Sequence, residues 1–156
     1  MDKDKRFRPS EGGFRWAGVE LHSYKDEGSA PFKDISRQTL FKADNLAGEL
    51  RYFEIAAGGY STLERHEHVH AVMILRGEGR CLVGGEVRPV APFDLVSIPP
   101  MHWHQFRAGS AEPLGFLCMV DRDRDRPQLP TDRELAQLRG DPQIAAFFGL
   151  AQDATL

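Results

Sequence analysis

Short apolar or alternating segments, separated by Gly, Pro, Asn and Asp, follow one another from Val19 to Val120. Alternation with a period of two predicts β-strands, because successive side chains of a strand point to opposite faces. Many short strands at this spacing are typical of an all-β sandwich or barrel. The predicted strands cover residues 18–24, 36–42, 49–56, 60–66, 68–76, 79–84, 86–90, 94–98, 103–108 and 114–121.

The chain after residue 126 predicts two short helices. Thr131 with Glu134 three residues later is a capping-box pattern, and Gly140 ends the helix that it begins. Asp141-Pro142 then begins a second helix, since Pro is favoured at the first helical position. Its apolar face is expected to pack on the barrel or on a partner chain; that face comprises Ile144, Ala145, Phe147 and Phe148.

Charge patterning sets the expected boundaries of the domain. Alternating charges followed by two glycines predict a flexible N-terminal arm over residues 1–16. Residues 121–126 alternate acid and base, which predicts a solvated linker. We therefore expect a β-barrel over residues 17–121, and a linker with a helical segment over 122–156.

Composition narrows the class of protein. The 156 residues fit one globular domain, with 41% hydrophobic and 28% charged residues. A net charge of −3 without a basic face argues against nucleic acid as a partner. Apolar runs fall short of a membrane span, and the N-terminus has no apolar signal core. Two cysteines, Cys81 and Cys118, are too few for a disulfide framework, so we expect free thiols and a cytoplasmic location.

Five of the six histidines fall in two groups. In the first, Glu64, His66, His68 and His70 occupy alternate positions, so an extended strand places all four on one face. The next residues, 71–75, are continuously apolar, so this strand is predicted to enter a core. Four metal-ligating side chains are costly to bury unless something binds them. The alternative is a solvent-exposed histidine-rich strand without a ligand.

The second group, His102-Trp103-His104, follows the double-proline turn Pro99-Pro100. His102 and His104 share one face if the chain is already extended there; otherwise one of them lies in the turn. Together the groups predict a site for one divalent transition metal per chain. Neutral imidazoles with an optional carboxylate suit Fe, Mn, Ni, Zn or Cu.

These two groups resemble the two motifs of the cupin superfamily. Counting back from Gly77, the first motif places His70 where the family usually has Glu, then His66, then Glu64 where the family has its first His. The second motif covers residues 93–104 and ends at His104. Phe93 and Met101 stand where Gly is usual. The resemblance covers residues 48–120.

The resemblance implies a small single-domain (RmlC-like) cupin of the conserved-barrel type. The fold would be an antiparallel double-stranded β-helix, the cupin jelly-roll barrel, with short C-terminal helices. It implies His66, His70 and His104 as metal ligands, with Glu64 or His68 as the fourth. It also implies a homodimer. Because the interior of a small barrel holds at most one small ligand, we expect a small-molecule substrate, and the charge and hydropathy predict neither nucleic acid nor membrane as a partner.

Cys118 is the candidate reactive side chain beside the metal. A turn over residues 109–113 would fold the strand 114–121 onto that of His104, and pairing centred near residue 111 places Cys118 opposite His104. The thiol would then tune or take part in catalysis. The alternative is a buried cysteine that behaves as a small hydrophobic residue.

Two classes of function follow. An open-sided metal could bind an enol, diol or diketone and activate dioxygen, which favours a dioxygenase-type oxidoreductase; isomerisation or elimination by Lewis-acid catalysis is the alternative chemistry. The other class is a non-catalytic module that binds a small metabolite or the metal itself.

Overall fold

The computed structural model describes residues 6–24 and 33–149, and over these ranges the chain forms eleven strands and two helices. All strand pairs are antiparallel. The elements are β1 (Ser10–Gly12), β2 (Arg15–Trp16), β3 (His22–Tyr24), β4 (Lys33–Phe41), β5 (Gly48–Tyr60), β6 (His70–Arg76), β7 (Gly79–Val83), β8 (Glu86–Val90), β9 (Leu95–Ile98), β10 (His104–Ala108), β11 (Leu114–Asp121), α1 (Asp132–Arg139) and α2 (Pro142–Gly149).

Nine strands form one curled sheet, in which β8-β7-β10-β5-β11-β6-β9 are successive neighbours. In addition, β4 pairs with β5, and β3 pairs with β4. The 13-residue β5 connects the two halves of the sheet, because it pairs with β4 and β11 along much of its length and with β10 at Tyr60. The all-β, antiparallel barrel predicted from the sequence is confirmed.

Alternate side chains of the curled sheet form its core. On β11 the even-numbered residues from Leu114 to Val120 are buried, as the period of two requires. Phe53 packs against this buried core, whose members include Ile55, Val72, Ile74, Phe106 and Phe116. Cys81 belongs to the same core cluster.

The segment between β5 and β6 departs from the prediction. Residues 60–66 were expected to be a strand and 68–76 the next one, but no strand covers residues 61–69. Two isolated bridges replace it, joining Glu64 to His104 and Arg65 to Gln128. The chain bends at Glu67 and His68, and β6 begins at His70. The histidine-rich segment is therefore a bent loop, not an extended strand.

Part of the predicted N-terminal arm packs on the barrel. β1 and β2 form a hairpin, in which the Phe14 ring stacks on Tyr52 with centroids 5.6 Å apart. Trp16 contacts the same ring edge-on at 5.2 Å, and the buried Gln38 side chain donates to the Phe14 carbonyl at 2.9 Å. Aromatic burial holds residues that the charge pattern alone described as loose.

Both predicted helices are confirmed. Thr131 and Glu134 form the capping box of α1, and Gly140 is its C-cap. Ile144 and Phe147 of α2 are buried in a second cluster against Leu63, Leu82 and Val87, whereas Ala145 is exposed. No helix of the described residues is long and apolar enough to cross a membrane.

Two turns hold non-glycine residues in the left-handed region, at the positions where the cupin motif usually has Gly. Phe93 has φ 74° and Met101 has φ 58°, a conformation that costs an L-residue roughly 1–2 kcal/mol. The backbone N–H of Phe93 donates to the Ile74 carbonyl at 2.8 Å, and that of Met101 donates to the His66 carbonyl at 2.8 Å. These bonds offset the strain and tie the second motif to the first.

Gly77 is the position where a side chain is least tolerable in the first motif. Its φ is +73°, and an added Cβ would lie 2.1 Å from the Pro113 carbonyl oxygen. Left-handed strain and overpacking together predict that Gly77→Ala lowers the free energy of unfolding by about 2–5 kcal/mol. Chemical denaturation measures this loss.

Gly85→Ala is the matched control, because nothing lies within 4 Å of an added Cβ there. Its unfolding midpoint should stay close to that of the parent. Equal stability of the two variants would contradict the steric account of Gly77.

Candidate functional site

Three histidines meet at one end of the barrel. His70 begins β6, His104 begins β10, and His66 lies in the bent segment before β6. One potential ligand atom from each residue lies within 4.8 Å of the others. The ring centroids are 4.8–5.0 Å apart. The rings line a cavity of about 410 Å³.

Hydrogen bonds fix two of the three imidazole tautomers. The Nδ1 of His66 lies 2.8 Å from the His68 carbonyl oxygen, and that of His104 lies 3.0 Å from the His102 carbonyl oxygen. A carbonyl can only accept, so both Nδ1 atoms carry the hydrogen. Each Nε2 is left with a lone pair, the arrangement that metal-binding histidines use.

His70 completes the group. Its Nδ1 lies 3.3 Å from the Cys118 sulfur, and its Nε2 is buried without a hydrogen-bond partner. An orphaned nitrogen in a barrel interior is costly unless a cation binds it. The donor set therefore fits a divalent transition metal, which His66, His70 and His104 would hold through Nε2.

Burial keeps these rings neutral. Desolvation, with repulsion from the neighbouring imidazoles, lowers the pKa of His70 to about 2. Desolvation also lowers the pKa of His104 to about 4 and that of His66 below its usual value. At neutral pH the lone pairs are therefore available to a cation without loss of a proton.

The two candidates for a fourth ligand lie in different surroundings. An oxygen of Glu64 is 3.9 Å from Nε2 of His104, and burial raises the pKa of this carboxyl to about 7 against the opposing effect of Arg51. His68 stacks on His66 with ring centroids 3.6 Å apart, and its Nδ1 contacts Asp125 at 2.7 Å. Among the described residues, the group with ligand atoms within 4.8 Å comprises the three histidines alone. The choice between Glu64 and His68 stays a prediction.

Asp125 is a site residue that sequence reasoning missed, because the alternating charges of residues 121–126 predicted a solvated linker. Its carboxylate accepts the backbone N–H groups of Glu67 at 2.8 Å and His68 at 2.9 Å, as well as contacting the His68 ring. These bonds, the one from Glu67 above all, hold the pKa of Asp125 well below its usual range. The acid therefore anchors the bend that brings His66 towards His70.

Cys118 lies beside the histidine cluster, but the strand pairing that places it there differs from the predicted one. The sequence predicted β10 and β11 as a hairpin with Cys118 opposite His104; instead β10 pairs with β7 and β5, and Cys118 lies opposite Arg51 and Val72. That pairing was wrong because the connection over residues 109–113 crosses to other strands of the curled sheet. The thiol still lines the cavity and contacts His70.

His102, whose place was left open, lies in the turn. It is exposed, its Nδ1 is 3.0 Å from the Pro100 carbonyl oxygen, and its ring lies over Gly84. Its own carbonyl positions His104. The backbone of His104 is held further by two hydrogen bonds with Glu64, of 3.0 and 3.2 Å.

Two arginines, Arg51 and Arg124, line the wall of the cavity. An N–H of Arg51 donates to the Cys118 sulfur at 3.6 Å, while Arg124 pairs with Glu49 at 2.8 Å. Glu49 also lies 3.7 Å from Arg51. Burial raises the pKa of the Cys118 thiol, and Arg51 opposes this effect.

Comparisons with known proteins agree with this geometry. Residues 51–120 match the cupin domain family. A protein of Rhodospirillum rubrum named 1-methylthio-D-xylulose 5-phosphate methylsulfurylase is 59% identical, covering 95% of this chain and 96% of its own.

Two crystal structures are similar over nearly their whole length. A cupin 2 conserved barrel domain protein from Rhodopseudomonas palustris is 60% identical with a TM-score of 0.87, covering 90% of this chain and 97% of its own. A cupin-2 domain from Rhodospirillum rubrum is 59% identical with a TM-score of 0.85, covering 93% and 98%. The curled barrel, the two motifs and these near full-length relatives together show that this chain belongs to the cupin family.

Proposed function

We propose that this chain is a metal-dependent enzyme that removes the methylthio group from a methylthio-ketose phosphate. The observation that carries the proposal is the convergence of three neutral imidazoles on a cavity, with the buried Nε2 of His70 unpartnered. Such a group has no packing role that explains its cost. A bound divalent ion would explain it.

The substrate class is supported by the Rhodospirillum rubrum relative, whose name gives 1-methylthio-D-xylulose 5-phosphate. The cavity of about 410 Å³ is within the range of small-molecule sites, roughly 300–1,000 Å³. Its walls include apolar side chains, such as Phe53, Phe106 and Phe116, suited to a methylthio group. The polar end carries the imidazoles and Glu64.

A divalent metal bound there would act as a Lewis acid that stabilises negative charge on the ketone oxygen of the substrate. The chain supplies the rest. Arg51 and Arg124 on the cavity wall offer cationic N–H groups to a phosphate. Burial raises the pKa of Glu64 in the metal-free cavity, and if His68 rather than Glu64 were the fourth ligand, this carboxyl would be placed to donate or accept a proton.

The dioxygenase-type reaction on an enol, diol or diketone stays a prediction and is the second candidate. It is favoured by the same three-imidazole arrangement, because ligands from one side leave the opposite side of an ion accessible from the cavity. The fold does not choose between these reactions. Two further candidates are Lewis-acid isomerisation or elimination, and non-catalytic binding of a metabolite or metal.

The homodimer also stays a prediction. It is supported by an exposed apolar group on the outer face of neighbouring strands, which includes Met73, Leu95 and Met119. The cytoplasmic location, expected from the free thiols of Cys81 and Cys118, also stays a prediction.

Metal binding is tested with His70→Ala. The parent, purified without added metal, should contain about one Fe, Mn, Ni, Zn or Cu per chain by elemental analysis, and the variant should contain less than about a tenth of that. A chelator should lower the melting temperature of the parent, since an ion at 100 times its Kd stabilises by roughly 2.7 kcal/mol.

His102→Ala is the matched control, because His102 is exposed and makes its ring contacts outside the cluster. It should retain the metal content of the parent. Equal metal loss in both variants, or full occupancy in His70→Ala, would contradict the three-histidine site.

The fourth position is resolved by comparing Glu64→Gln with His68→Ala. Glu64 lies near Nε2 of His104, whereas His68 is held by Asp125. Glu64→Gln should therefore weaken metal affinity more, by about 10–100-fold, in a competition titration with a chromophoric chelator. A larger loss in His68→Ala would show that His68 occupies the fourth position.

The reaction is tested by incubating metal-loaded protein with 1-methylthio-D-xylulose 5-phosphate and a small thiol, which would accept the methylthio group as a mixed disulfide and leave hydrogen on the sugar carbon. Chromatography and mass spectrometry should show loss of the methylthio group, and His70→Ala should lower the rate by at least about 100-fold. The reaction should proceed equally well without oxygen. Oxygen uptake with an enol, diol or diketone, and no change in the sugar phosphate, would instead support the dioxygenase.

A further inference from the structure

One wall of the cavity carries two guanidinium groups that share a single carboxylate. Glu49 and Arg51 are two residues apart on β5 and share a face, and Arg124 reaches the same wall from the segment after β11. An oxygen of Glu49 lies 2.8 Å from Nη1 of Arg124 and 3.7 Å from Nε of Arg51. The carboxylate of Asp125, which also lines the cavity, is already occupied by two backbone N–H groups. Glu49 and the two arginines therefore carry one net positive charge.

The two arginines differ in how firmly they are held. The side chain of Arg51 is 11% exposed, and its guanidinium carbon lies 4.8 Å from the centroid of the Phe53 ring. Arg124 belongs to residues 122–129, all of which are exposed. Within the described residues, its hydrogen bonds to Glu49 and to the Asp121 carbonyl both start from Nη1, at 2.8 and 2.9 Å. Since a guanidinium has five N–H donors, Nη2 and Nε of Arg124 remain available to an anion.

The register of the sheet sets the distance between this wall and the histidines. Val120 of β11 lies opposite Glu49 of β5 on one side and opposite His70 of β6 on the other. The two outer strands are therefore two strand spacings apart, about 9.4–9.8 Å. An extended five-carbon ketose phosphate spans roughly 6 Å from its ketone carbon to phosphorus, at about 1.1–1.2 Å per bond. One molecule can thus reach both the imidazoles and the arginines.

We propose that Arg124 is the specificity-determining residue that selects a phosphorylated substrate, and that Glu49 is the counter-ion which the phosphate replaces. This inference rests on the proposed function, because it assigns the phosphate of that substrate to one wall of the same cavity. Arg124 forms a bidentate pair with two phosphate oxygens, and Arg51 contributes a fixed positive charge beside it.

The difference in charge between the two anions drives the exchange. A phosphate monoester carries about −1.5 to −2 near pH 7 and offers three acceptor oxygens, whereas Glu49 carries a single negative charge. A sugar without phosphate leaves the pair of Arg124 and Glu49 intact, so it gains no ion pair on entering. Glu49 thereby opposes phosphate binding, and Arg124 promotes it.

The test measures binding of D-xylulose 5-phosphate and of inorganic phosphate to metal-loaded protein by calorimetry. Neither probe has a methylthio group, so binding is read without that reaction. Arg124→Ala should weaken both affinities by about 10–100-fold, because one charged hydrogen-bonded pair is lost, and Arg124→Lys should recover part of the loss. Glu49→Gln keeps the shape and an acceptor oxygen but removes the competing charge, so it should tighten both affinities by about 3–10-fold.

Arg122→Ala is the matched control. Arg122 is the same residue type two positions away, and it donates to the carbonyls of Ala43 and Asp44 outside the cavity lining. Its affinity for both probes should equal that of the parent. The metal-depleted His70→Ala protein should still bind inorganic phosphate, since the arginines and not the metal hold it.

The kinetics separate the phosphate from the small thiol, which could itself be an anion. With 1-methylthio-D-xylulose 5-phosphate, Arg124→Ala should raise KM about 10–100-fold and leave kcat close to that of the parent. The KM for the thiol should not change.

Equal affinities in the parent and Arg124→Ala proteins, or weaker binding in Glu49→Gln, would overturn the assignment. So would phosphate binding that disappears with the metal in His70→Ala, or a rise in KM for the thiol alone. If D-xylulose 5-phosphate binds through Arg124 but the methylthio sugar phosphate is never converted, the phosphate subsite stands and the proposed function fails.

Discussion

The site depends on one constraint, the burial of three imidazoles side by side in the interior of a barrel. A buried polar atom is costly unless it has a partner. Backbone carbonyls satisfy Nδ1 of His66 and His104, and the Cys118 sulfur contacts Nδ1 of His70. The remaining ring nitrogens converge, and a shared cation would stabilise three lone pairs that face one another. The sheet thus determines where a metal can bind before any metal is present.

Other strands of the same sheet bring further chemistry to the cavity. β5 and β11 are neighbours, so Arg51 lies opposite Cys118, and Glu49 two residues earlier contacts both Arg51 and Arg124. Glu49 thereby places two cations on one wall. The cavity has an imidazole end, a cationic wall and an apolar lining, which together suit a small anionic molecule with an apolar substituent.

The features that the sequence predicted correctly are those with local physical causes. Period-two alternation located most strands of the barrel, and the Thr131–Glu134 pair located α1, since a capping box involves only four residues. The grouping of His66, His70 and His104 could be predicted because their spacing matches a family motif, while their role as metal ligands stays a prediction. The pairing of Cys118 was wrong, because strand order depends on how the whole sheet curls. The Phe14 hairpin was missed because its partner, Tyr52, is distant in sequence.

Asp125 shows why the bent loop matters to the chemistry. In an extended strand, side chains four positions apart are separated by about 13 Å, too far for His66 and His70 to share one ion. The bend at Glu67 and His68 brings the rings of His66 and His70 to 4.9 Å, and the carboxylate of Asp125 holds that bend through two backbone N–H groups. Asp125 lies in the charged segment that joins the barrel to α1, and Arg65 of the same loop pairs with Glu134 of α1 at 2.9 Å. The C-terminal segment is therefore part of the site's geometry, because it sets the conformation of the loop that supplies His66.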